Sequence, residues 1–114
     1  MKKIMFSALL LTGLAINAQA QQDFPEDIKP LVNKYACSAC HKVDARLVGP
    51  AYKDVAKKKY SNEKIVELIG APKPSNWPGY PPMAALKVPK EDAMKLATWI
   101  NSLAGGGKAK SKKG

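Results

Sequence analysis

Only one histidine and two cysteines stand among the 114 residues. Ligation of one metal by two imidazoles of this chain is therefore excluded, as is a zinc site built from four cysteines. β-Branched residues are scarce too. Past residue 20, Val, Ile and Thr together number 11 of 94, with no convincing alternating run, which argues against a sheet-based fold. The apolar run over residues 4–15 is about 12 residues long, short of the roughly 20 that a membrane-spanning helix needs. Acidic side chains are few, 9 against 19 basic ones, for a formal charge of +10. The length suits one domain and excludes a multidomain enzyme or a large α/β barrel.

What is present starts with a leader. Lys2 and Lys3 precede the apolar run, and Ala18-Gln19-Ala20 supplies small residues at a cleavage site, the pattern of a secretory signal. Residues 1–20 are expected to be removed after Ala20, placing the mature chain in the periplasm. Residues 21–104 would form the domain, and residues 105–114 a flexible lysine-rich tail. The mature chain would carry +8 on 94 residues. A core of that size gives modest stability by itself, so a staple is expected. A Cys37–Cys40 disulfide would enclose only two residues and would constrain the unfolded chain little.

Helical periodicity dominates the rest. Ile28, Leu31, Val32, Tyr35 and Ala36 fall at i, i+3, i+4, i+7 and i+8, one helical stripe. With Asp27 as N-cap, Pro30 lies in the first turn, where no acceptor is lost, and the helix is expected to run into Cys37. A short second helix is predicted over residues 51–59, with Pro50 at its start. Ser61 or Asn62 would cap a third, with Ile65, Val66, Leu68 and Ile69 as its apolar side and Gly70 as its stop. Five prolines between residues 71 and 82 exclude helix and central strand there. A fourth helix is predicted from near Pro89 to about Ala104, with Ala93, Leu96, Ala97, Ile100 and Leu103 on one face and Trp99 alongside. The expected class is all-α, four helices of unequal length and one long rigid loop.

Cys37-Ser38-Ala39-Cys40-His41 spells C-x-x-C-H, the c-type haem attachment pattern. Two thiols three residues apart can reach both vinyl groups on one porphyrin edge, and the adjacent imidazole can ligate the iron. A thioredoxin-like redox pair would need a βαβ context. A zinc site would need a fourth ligand, for which Asp44 is the nearest candidate. Covalent haem also answers the need for a staple, since a porphyrin buries as much apolar surface as several aromatic side chains. The chain should be largely disordered without it.

The sixth iron ligand then decides the chemistry. An open position binds gases or peroxide; a closed one exchanges electrons. Met1 and Met5 leave with the leader, and Met94 sits at the packing edge of the fourth helix. Met83 follows Pro81-Pro82, 42 residues beyond His41, where prolines stiffen the loop and help hold a weak thioether–iron bond. His41 and Met83 are therefore the expected axial pair, and Met ligation raises the reduction potential.

At this point the chain resembles the small class I bacterial monohaem cytochromes c of the c-551 type. Residues 37–41, Leu-Val-Gly-Pro-Ala-Tyr-Lys-Asp-Val-Ala at 47–56, Trp-Pro-Gly-Tyr-Pro-Pro-Met at 77–83 and Leu-Ala-Thr-Trp-Ile at 96–100 carry the resemblance. It implies the class I cytochrome c fold, about four helices wrapped around one covalent haem c. It implies that the Pro50 carbonyl fixes the outer nitrogen of His41, that Trp77 lies near a haem propionate, and that the first and last helices cross near Trp99. Two features depart from the pattern: Met83 is preceded by Pro81-Pro82 and followed by Ala84-Ala85, and Pro89 stands where a serine cap is common.

The expected role is that of a soluble monomeric electron carrier, not an enzyme. The resemblance implies partners such as a membrane cytochrome complex as donor and a terminal oxidase or reductase as acceptor. The alternative is a five-coordinate ligand-binding or peroxidatic haem protein, against which no spare His or paired acid is available to activate peroxide. Lys42, Arg46, Lys53, Lys73 and Lys87 are candidate charges for steering an acidic redox partner. The tail's four lysines allow weak contact with anionic lipid. No nucleic-acid partner is expected. Matured with its attachment machinery, the protein should give a positive pyridine haemochrome assay and a helical circular dichroism spectrum. The double variant Cys37→Ala/Cys40→Ala should lose both, and a colourless but folded wild type would refute the motif reading.

Overall fold

The computed structural model describes residues 22–105, which are helical and contain no strand. The expected leader and residues 106–114 of the expected tail lie outside the described residues. Four α-helices follow in order: α1 (Lys29–Lys34), α2 (Tyr52–Lys57), α3 (Asn62–Gly70) and α4 (Lys90–Ser102). Short 3-10 turns stand at Cys37–Ala39, Pro74–Asn76 and Leu103–Gly105.

α1 is shorter than the periodicity suggests. Its N-cap is Ile28, not Asp27, and Pro30 occupies the second helical position, still within the first turn. The stripe continues to Ala36, but the helix does not. Ala36 takes a left-handed φ of 59°, which a β-carbon makes costly by about 1 kcal/mol. That reversal turns the chain out of α1 and into the tight turn carrying Cys37. A six-residue helix has no stability of its own; Ile28 and Val32 anchor it in the core.

The remaining helices are bounded by recognisable caps. Ala51 is the N-cap of α2, so the helix starts at Tyr52, two residues after Pro50, and ends at Lys57, two residues short of the predicted 59, where Lys59 turns left-handed (φ 57°). Ser61 caps α3 by accepting the amide of Lys64 at 3.1 Å, an arrangement worth about 1 kcal/mol. Gly70 is the last residue of α3. α4 lacks a side-chain cap behind Pro89, but Glu91 and Asp92 stand in its first turn, where the helix dipole favours negative charge.

α4 organises the core. Ala93, Leu96, Ala97 and Ile100 are buried on one face and join Ile28, Val32, Tyr52, Ala56 and Ile65 in a single cluster. Asn101 Nδ2 donates to the Tyr60 carbonyl at 2.9 Å and to Asn62 Oδ1 at 2.7 Å, tying α4 to the α2–α3 connection. The Tyr35 hydroxyl donates to Asp92, linking the end of α1 to the start of α4. Trp99 packs on Phe24, which leads into α1, and edge-on to Tyr52 of α2. Ile28→Ala should therefore cost about 2–5 kcal/mol, whereas the exposed Lys95→Ala should stay within about 0.5 kcal/mol, as read by guanidinium unfolding of the matured protein.

Candidate functional site

The segment after Cys40 folds back on itself. The Gly49 amide donates to the Cys40 carbonyl at 2.7 Å, and the amides of Tyr52 and Lys53 donate to the carbonyls of Lys42 and Val43 at 2.9 Å each. These bonds straddle His41, so residues 49–52 are laid over its imidazole. The Pro50 carbonyl sits 2.7 Å from His41 Nδ1. A carbonyl only accepts, so Nδ1 carries the proton and Nε2 keeps its lone pair.

Two further residues fix the ring plane. Tyr52 stacks on it, with centroids 4.6 Å apart and planes 20° from parallel. A β-carbon on Gly49 would lie 2.6 Å from Cε1, 3.0 Å from Nδ1 and 3.1 Å from Nε2, near-equal separations that place it over the ring face and not at its edge. Glycine is thus required here by close approach. Burial lowers the pKa of His41, opposed by its bond to the Pro50 carbonyl. The imidazole is held neutral, the form that binds a metal.

His41 opens onto a cleft of about 460 Å³, within the usual range for bound small molecules. Cys37, Cys40, Pro50, Trp77 and Met83 all line it, beside an apolar wall formed by Ile65, Leu68, Ile69, Leu96 and Ile100. The two cysteines form no disulfide with each other. Burial raises the Cys37 pKa, partly offset by a hydrogen bond from the Tyr52 hydroxyl. Met83 lies in the loop between the 3-10 turn at Pro74–Asn76 and α4, and is 38% exposed. Among the described residues, no group of three or more His, Cys, Asp and Glu could hold a metal ion. Two thiols, one neutral imidazole with its outer nitrogen engaged, and one thioether in an apolar cleft suit haem c far better than a bare cation.

Trp77 meets Tyr80 edge-on with centroids 5.9 Å apart, and Lys58 Nζ lies 4.6 Å from the Trp77 ring centroid. Of the five basic residues named from the sequence, Lys73 lines the cleft, while the Arg46 guanidinium lies against Tyr80. Lys42 flanks His41, Lys53 stands on α2 and Lys87 follows Met83 in the loop. Sequence reasoning missed Tyr52, Gly49 and the Arg46–Tyr80 contact. The short spacing from Pro50 to Tyr52, with only Ala51 between them, was the available signal for Tyr52; nothing local pointed to the Arg46 contact, whose partners are more than 30 positions away.

Comparison with known proteins points to one family. A family model described as cytochrome c matches residues 25–104. The chain is 36% identical over 107 residues to cytochrome c-551 of Pseudomonas aeruginosa, a match covering 90% of this chain and 98% of that protein. It is 39% identical over 77 residues to cytochrome c-551 of Allochromatium vinosum, covering 64% of this chain and 82% of that protein. The crystal structure of wild-type Nitrosomonas europaea cytochrome c552 matches with a TM-score of 0.59 at 35% identity, over 66% of this chain and 98% of that one.

Gly49→Ala should force the imidazole or its covering loop to move. A destabilisation of about 1–3 kcal/mol is expected, with a changed pattern of paramagnetically shifted proton resonances in the oxidised protein. Unchanged stability and an unchanged pattern would show that the ring is not clamped by this backbone.

Proposed function

The chain belongs to the cytochrome c family and carries one covalently attached haem c with its iron, and on that premise we propose that it is a periplasmic one-electron carrier. In this reading Cys37 and Cys40 form the thioethers, and His41 and Met83 are the axial ligands. One observation carries it: both thiols, an oriented neutral imidazole and a lone loop thioether line the same apolar cleft.

The bound group supplies a one-electron ferrous–ferric couple. The protein supplies its environment. The Pro50 carbonyl and the Tyr52 ring hold the imidazole in one orientation, which raises its basicity as a ligand. Ile65, Leu96 and Ile100 exclude water from the cleft. Met83 is carried on a segment entered through two prolines, so little loop entropy opposes its bond. Fixed ligands keep reorganisation small in both oxidation states. The chain performs no net transformation of a substrate.

Among the described residues no helix is long and apolar enough to cross a membrane. Export rests on the leader read over residues 1–20, with cleavage after Ala20. The excess of basic residues suits brief docking onto acidic faces of redox proteins, with a membrane cytochrome complex as donor and a terminal oxidase or reductase as acceptor. The carrier works as a monomer. The lysine-rich tail adds at most weak contact with anionic lipid, and Trp77 is assigned to the propionate side of the group.

The oxidised protein should be low-spin and show the weak long-wavelength thioether–iron band. Met83→Ala should abolish that band and lower the midpoint potential by on the order of 100 mV, a fraction of the roughly 0.8 V that axial ligation spans. A high-spin oxidised wild type would replace this reading with that of a ligand-binding haem protein.

A further inference from the structure

Arg46 reaches from the return between His41 and Gly49 to the loop that bears Met83. Its Nη2 donates to the Gly79 carbonyl at 2.8 Å, and its guanidinium carbon lies 3.9 Å from the Tyr80 ring centroid. The acceptor is presented by a specific backbone shape, since Gly79 takes a φ of 88°, which side-chain-bearing residues rarely adopt. Planar stacking and a directed N–H together suit arginine and not lysine.

The segment downstream is thinly held. Among the described residues, the backbone between Tyr80 and Pro89 makes one hydrogen bond, from the Leu86 amide to the Ile69 carbonyl at 3.0 Å. Lys58 fastens the upstream end by donating to the Asn76 carbonyl at 3.2 Å. Between these two ties, the Arg46 contact joins the Met83 loop to the return between His41 and Gly49.

We propose that Arg46 is a positioning residue that straps the Met83 segment across the cleft and so sets how readily Met83 yields to an external ligand. The proposal rests on Met83 being the axial ligand. An external base binds the ferric protein only when Met83 has left, so its apparent affinity is reduced by the small fraction of molecules in that open state. Releasing the strap enlarges that fraction. One exposed cation–π contact and one charge-assisted hydrogen bond correspond to about 2- to 10-fold.

The test is a titration of the oxidised, haem-bearing protein with imidazole, following loss of the thioether–iron band. Arg46→Ala should bind imidazole about 2- to 10-fold more tightly than wild type. Arg46→Lys should resemble Arg46→Ala, because the charge survives and the stacked fork does not. The double variant Arg46→Ala/Tyr80→Leu should differ from Tyr80→Leu by less than Arg46→Ala differs from wild type, as expected for coupled partners. Heating should abolish the band in Arg46→Ala at a lower temperature than in wild type, with a smaller change in the helical unfolding midpoint. A normal wild-type band with unchanged imidazole affinity in Arg46→Ala, or full rescue by Arg46→Lys, would overturn the strap alone. A wild-type spectrum without the band would overturn Met83 ligation and the strap with it.

Discussion

The hydrogen bond between His41 Nδ1 and the Pro50 carbonyl, 2.7 Å long inside an apolar pocket, is the constraint around which the site is built. It determines the tautomer, leaves the other ring nitrogen its lone pair and requires residues 49–52 to lie over the imidazole. Gly49 meets that requirement because any β-carbon would press into the ring. Tyr52 meets it by stacking on the same ring while opening α2. A single residue therefore serves the imidazole and the helical core at once, since Tyr52 also packs edge-on against Phe24 and Trp99.

The cleft is asymmetric in how it is held. On the His41 side, backbone bonds from Gly49, Tyr52 and Lys53 close a tight return, and the ring is buried. On the Met83 side, prolines remove amide donors, and the loop is held largely by side chains: Lys58 at Asn76 and Trp77, and Arg46 at Gly79 and Tyr80. The guanidinium of Arg46 is engaged within the molecule, on the Gly79 carbonyl and the Tyr80 ring.

Composition and periodicity made much of this protein legible. Scarce β-branched residues, three apolar stripes and a short segment opened by Pro50 indicate an all-helical chain, and the described residues hold four α-helices at those places. The fourth was the clearest, because Ala93, Leu96, Ala97 and Ile100 repeat at helical spacing and all four are buried. The first was overextended. Its stripe runs to Ala36, yet the left-handed backbone there ends the helix, because the thiols and His41 must face the cleft and not continue around a cylinder. Periodicity reports which side of a segment is apolar; it does not report where tertiary contacts reverse the chain.

By itself, then, the order of residues determined the helical class and the haem-attachment pattern with its single imidazole, because these depend on residue type and on spacings of a few positions. Only the tertiary structure decided what surrounds that imidazole and what holds the methionine loop. Tyr52 over His41, the close approach of Gly49 and Arg46 on Tyr80 arise where backbone reversals bring separate segments together. The energies of such contacts depend on distances and angles that spacing along the chain does not encode.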